Sequence, residues 1–225
     1  CTKDTLPEQW AGIQDNLGLV LFDQSRRIGG EASAQLLAQA VKAFRTALIV
    51  RTKDRLPQDW AMTQYNLGAV LSEQGSRTSG EAGTQLLAQA VAAYRAALSV
   101  RTKDHFPEDW AMTQNNLGNV LQAQGTRTVG KASTELLAQA VEAYHSALTV
   151  YSKESLPQPW AMTQNSLGDV LREQSTRTAG EAGTQLRARA IAAYYAALSV
   201  YAKDWLPQNW GRTQNSLGNV LLEQG

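Results

Sequence analysis

Residues 51–75 read RTKDRLPQDWAMTQYNLGAVLSEQG, and the same stretch, with few changes, starts again at Cys1, Arg101, Tyr151 and Tyr201. A period of 50 residues (101 − 51) held along the whole chain marks a repeat array. Roughly two thirds of the positions agree between neighbouring copies, which implies one supersecondary unit stacked on itself with no linkers. The chain is therefore read as a single array of units 1–50, 51–100, 101–150 and 151–200 with a half-unit 201–225.

Each unit begins its first helix at a proline (Pro7, Pro57, Pro107, Pro157, Pro207), a residue suited to the first helical turn, where its missing N–H costs nothing. In the second unit Trp60, Gln64, Leu67, Val70, Leu71 and Gln74 recur at steps of three and four, the spacing of one helical face. The spacing predicts an end to this helix near Gly75, a polar loop, and a second helix from Glu81 to about Lys103. Its expected apolar stripe is Ala82, Leu86, Ala90, Ala93, Ala97 and Val100. Neither helix would persist alone in water, so each unit must cover its stripes by stacking. Gly68, Gly118 and Gly168 are expected where two helices approach closely, because glycine costs about 1 kcal/mol in a helix interior.

The array of Leu67, Gly68, Ala90, Tyr94, Ala97 and Leu98 resembles the small and large signature positions of the tetratricopeptide repeat, with Phe44 in place of Tyr in the first unit. The unit departs from that family in length, 50 residues against about 34, and in a Trp well upstream of the Leu-Gly pair. The resemblance implies an all-α fold, a right-handed α-solenoid of antiparallel helix pairs, with the first helices lining a concave face. It also implies a partner-binding or scaffolding role.

Composition narrows the function further. The formal net charge is +1, so no global field selects nucleic acid, an anionic membrane or a strongly charged substrate. The only cysteine is Cys1, which excludes an internal disulfide and a site of several thiolates and points to the cytoplasm. Cys1 falls in the register of Arg51, Arg101, Tyr151 and Tyr201, so the chain reads as an array cut at a repeat boundary rather than as a lipidated terminus. No cofactor or metal is expected. His105 and His145 are the only histidines, no nucleophile stands beside a base and no glycine-rich phosphate loop is present, so the chain is read as a non-enzyme.

Repeats supply their own comparison: positions needed for stacking should agree between units, and those free to serve a partner may differ. On the first helix the differing positions form a stripe that includes Gly12, Met62, Met112, Met162 and Arg212. The stripe continues through the expected ligand-binding residues Asp15, Tyr65, Asn115, Asn165, Asn215, Ala69, Asn119, Asp169, Asn219, Gln122 and Arg172. Its asparagines form a ladder able to pair with the backbone of an extended, neutral to weakly basic peptide. The repeated Trp10, Trp60, Trp110, Trp160 and Trp210 are assigned to the core. Gln64 and its equivalents are expected to bond backbone between units, and the Arg77 and Lys53 rows to be solvated or locally paired. Two other functions fit the pattern less well. One is a structural module stacking head to tail through the half-unit; the other is a helical-repeat nucleic-acid binder.

Overall fold

Prolines open the first helices as expected, and a computed structural model describes the chain from residue 2 to residue 223. Cys1, Gln224 and Gly225 lie outside the described residues, and with them the readings of the N-terminal cysteine and of the last residues of the half-unit. Among the described residues all regular structure is helical: α1 (Pro7–Arg27), α2 (Gly30–Ala47), α3 (Pro57–Arg77), α4 (Gly80–Leu98), α5 (Pro107–Arg127), α6 (Gly130–Leu148), α7 (Pro157–Ser175), α8 (Gly180–Leu198) and α9 (Pro207–Leu222). The chain divides into two compact bodies, Cys1–Ala123 and Gln124–Gly225. In the first, α1 packs on α2, α2 on α3, and α3 on α4; in the second, α6 packs on α7, α7 on α8, and α8 on α9. This is the stacking of helix pairs that the period of the sequence predicts. No described helix is long and apolar enough to cross a membrane.

The core explains the residues shared by all units. Val70 and Leu71 of α3 are buried, as are Leu87, Ala90, Ala93, Tyr94 and Ala97 of α4. The second-helix stripe is turned from the expected one: Ala82 is exposed and Leu86 half-buried, while Gly83, Leu87 and Tyr94 face inward. The reason lies at the start of the helix. Gly80 and its equivalents adopt φ of +66 to +69°, a conformation open to glycine and strained for other residues. The chain thereby turns straight from the first helix into the second, and a small residue meets the preceding helix end: Ser33 Oγ donates to the Ser25 carbonyl at 2.6 Å, and Ser133 Oγ to that of Gly125 at 2.7 Å. The first helix correspondingly runs past Gly75, which is buried inside it, to Arg77. The second helix stops at Leu98 rather than Lys103, and Val100 and Arg101 both return their N–H groups to the Ala97 carbonyl.

The leucine-glycine pair works as expected. A Cβ added to Gly68 would stand 3.0 Å from the Tyr94 ring, and one added to Gly168 would stand 2.6 Å from that of Tyr194. The repeated Trp10, Trp60, Trp110, Trp160 and Trp210 are half-buried, whereas Trp205 is exposed; Trp10 packs on Ala11, Ala47 and Val50, and Trp160 and Trp210 pack on Ala161, Ala197 and Tyr201. The lysine row covers their outer sides, with Lys53 Nζ 5.9 Å from the Trp60 ring centre and Lys203 Nζ 5.6 Å from that of Trp210.

Candidate functional site

The differing stripe on the first helices separates into a buried half and an exposed half. Asp15, Asn115 and Asn165 are 2%, 1% and 7% exposed. The expectation that this row points away from the stacking face is therefore overturned for these three. Within each body, Asp15 and Asn165 lie in the joint where the first helix of one unit meets that of the next. At the joint of units 1 and 2, Thr63 Oγ1 donates to Asp15 Oδ1 at 2.8 Å and accepts from Arg51 Nη1 at 2.9 Å. Arg51 Nη1 also stands 3.3 Å from Asp15 Oδ1, an ion pair with little exposure on either side.

At the joint of units 2 and 3 the Asp is replaced by Tyr65, and the chemistry changes with it. The Arg101 guanidinium lies 4.8 Å from the Tyr65 ring centre, and Asn116 Nδ2 donates to the Tyr65 hydroxyl at 2.8 Å. Burial raises the Tyr65 pKa, against the opposing pull of Arg101. At the joint of units 4 and 5 the arginine is replaced by buried Tyr201 and the Asp by Asn165, whose Oδ1 accepts from Thr213 Oγ1 at 2.9 Å. At the first two of these joints the row thus meets an arginine, Asp15 with Arg51 and Tyr65 with Arg101, and at the joint of units 4 and 5 Asn165 meets Thr213 while Tyr201 holds the arginine's position. A buried carboxylate demands a cation and a buried amide does not: the arginine is present opposite Asp15 and Tyr65 and absent where the row holds Asn165.

The rest of the stripe is more open. Asn119, Asn215 and Asn219 are exposed, and Ala69 and Gln122 are half-exposed. Asp169 and Arg172 are half-buried and engaged: Tyr194 OH donates to Asp169 Oδ1 at 2.8 Å, and Arg172 Nη1 donates to Glu223 Oε1 of the next unit at 2.8 Å. Met62 and Met162 are exposed. The arginine row is locally paired, as read: Arg77 binds Glu73 at 2.6 Å and Ser33 of the preceding unit at 2.5 Å, and Arg177 binds Glu173 at 2.6 Å and Ser133. Gln64 is half-buried but makes none of the expected backbone bonds.

Beside the exposed methionines the same crevice occurs in both bodies. In the first it is formed by Asp59 and Met62 of α3, Arg101 before α5, and Phe106 and Asp109 at the start of α5, with a volume of about 210 Å³. In the second it is formed by Pro159 and Met162 of α7, with Tyr201, Leu206 and Asn209, and encloses about 220 Å³. The sequence reading found the methionines of this site but missed its other walls. Residues at positions 6 and 9 of one unit serve a crevice opened by the unit before, and no periodicity within a single helix reveals that. Among the described residues no group of three or more His, Cys, Asp or Glu side chains stands close enough to hold a metal ion.

No protein-family model matches the chain, and no curated protein matches it significantly.

Proposed function

We propose that the chain is a protein- or peptide-binding scaffold, a long-unit relative of tetratricopeptide arrays, that recognises its partner on the first-helix side. The observation that carries this reading is the recurrent crevice with an exposed methionine at its lip. Met62 and Met162 keep 39% and 47% of their surface open, and a flexible thioether on an open rim suits adaptable contact with a partner side chain. The size of the crevices favours a peptide over a small molecule, because about 210 Å³ lies below the roughly 300–1,000 Å³ of pockets that hold drug-sized ligands. With Asp15 and Asn165 occupied in the joints and Asn115 buried, the asparagine ladder gives way to the methionine row and the exposed Asn119 and Asn219 as the proposed contact surface. The proposal is non-catalytic, supported by the absence from the sequence of a nucleophile paired with a base.

A random-peptide display library, selected on the immobilised chain, tests the reading. Titration calorimetry of the selected peptides should show affinity at least tenfold weaker for Met62→Glu combined with Met162→Glu. Lys42→Ser combined with Glu142→Ser, on exposed faces of α2 and α6, should leave affinity unchanged. The opposite pattern would place the binding face on the second helices.

Head-to-tail stacking of copies is the second reading, and an exposed apolar pair on α1 bears on it. Leu17 and Val20 are 45% and 54% exposed, whereas their equivalents Leu67 and Val70 are 6% and 0% exposed. The joint chemistry speaks for the first reading instead. Position 13 of the unit is Ile13 on α1, where Thr63 and Thr213 supply a hydroxyl to the unit before. A copy stacked there would cover Asn215 of α9 without that donor, and a buried amide lacking its bond costs about 1–3 kcal/mol.

A further inference from the structure

Resting on the scaffold reading, we infer that the two crevices select different side chains: the one at Met62 takes a lysine or arginine of the bound peptide, and the one at Met162 takes an uncharged apolar residue. The two crevices are built from equivalent positions, so their differences isolate what each can hold. Both have an apolar wall, Met62 with Phe106 in the first and Met162 with Leu206 in the second. Their polar walls differ at three positions together: Asp59, Arg101 and Asp109 in the first become Pro159, Tyr201 and Asn209 in the second.

The first crevice therefore carries two carboxylates against one guanidinium, and that guanidinium is largely committed. Arg101 is buried, stacked at 4.8 Å on the Tyr65 ring, and its Nη1 donates to Thr113 Oγ1 at 3.3 Å. Its Nε lies 4.0 Å from Asp109 Oδ2, at the limit of an ion pair, and the Asp59 carboxylate has no cationic partner among the described residues. An apolar wall below a rim of net negative charge matches a side chain with an apolar stem and a cationic head. Asp59 and Asp109 also lie in the first turns of α3 and α5, where a carboxylate favours the helix start. That role alone does not account for the crevice, because α7 and α9 begin equally well with no acidic residue in the first turn. In the second crevice a lysine would lose hydration with no carboxylate on the wall to replace it, and an aliphatic side chain loses nothing.

The three methionines of the sequence, Met62, Met112 and Met162, provide the readout, since methyl-labelled methionine gives three NMR signals. The probes are N-acetyl-lysine amide and N-acetyl-norleucine amide, which share a stem and differ in the ammonium group. The Met62 signal should shift at several-fold lower concentration of the lysine probe than of the norleucine probe, and the Met162 signal should show the reverse order. The preference at Met62 should weaken as salt is raised and vanish in Asp59→Asn combined with Asp109→Asn, with an unchanged Met162 signal reporting an intact fold. Equal response of Met62 to both probes, no response, or a preference that survives the double substitution overturns the inference. Library peptides that bind the chain while Met62 shows no preference would overturn this assignment alone, and a library that yields no binder would count against the scaffold reading itself.

Discussion

Replacing Arg51 by Ala should lower the unfolding free energy by about 3–5 kcal/mol, the loss typical of a buried ion pair deprived of one partner. Asp15 would be left in the joint of units 1 and 2 with its carboxylate against Thr63 and no cation, and neither side chain of the pair is exposed enough for water to take over. The melting temperature should fall by roughly 10 °C or more. The matched change is the sharper test. Asp15→Asn with Arg51→Tyr installs the residues that units 4 and 5 carry at the same positions, Asn165 and Tyr201, so the double variant should regain most of the stability that Arg51→Tyr alone removes. Calorimetric melting of the two single variants and the double one gives the coupling directly. Additive losses would mean that the two positions are independent and that the match between them is accidental.

The second large effect is expected at the glycine that meets the tyrosine of its own unit. Gly168→Leu should destabilise the chain by about 1–3 kcal/mol or more, the range for overpacked cores, because even a methyl at this position stands 2.6 Å from the Tyr194 ring. Burial holds the Tyr194 pKa well above its ordinary value, and its hydroxyl is bonded to Asp169, so the ring cannot swing aside without breaking that bond. Gly218 is the internal control. It occupies the same position on α9, where an added Cβ meets nothing within 4 Å. Gly218→Ala should raise stability by up to about 1 kcal/mol, the helix-propensity difference between the two residues. The same sign of effect at Gly168 and Gly218, read from urea unfolding midpoints, would show that the glycine is not there for helix approach.

Much of this architecture is legible in the sequence because repetition averages out accident. Five prolines at one register and five Leu-Gly pairs leave little freedom in where the first helices begin and which face they bury. The second helix is less legible: Ala82 and Ala90 look alike to a periodicity argument, and the left-handed glycine that sets the helix phase acts through backbone geometry alone. The burial of Asp15, Asn115 and Asn165 is hidden from the sequence for a different reason. Variation between copies looks like freedom, whereas a joint also permits variation where the facing residues can accommodate it. That signal lies in the sequence at a separation of 36 residues, as 51 − 15, 101 − 65 and 201 − 165 all show. Finding it requires knowing that position 1 of a unit packs against position 15 of the unit before, and this is a tertiary fact.

The division of the stripe into joint and surface is the claim on which the proposed function stands, and one melting comparison tests it most directly. Two variants of the full chain are needed, Asp15→Ala with Asn165→Ala from the buried row, and Asn119→Ala with Asn219→Ala from the exposed row. The account predicts a loss of several degrees for the first, since Asp15→Ala leaves the buried Arg51 without its carboxylate and Asn165→Ala removes the bond from Thr213 across the joint. It predicts no more than about 0.5 kcal/mol of change for the second, the usual range for surface substitutions. Equal melting of the two variants, or a greater loss from the exposed pair, would contradict it.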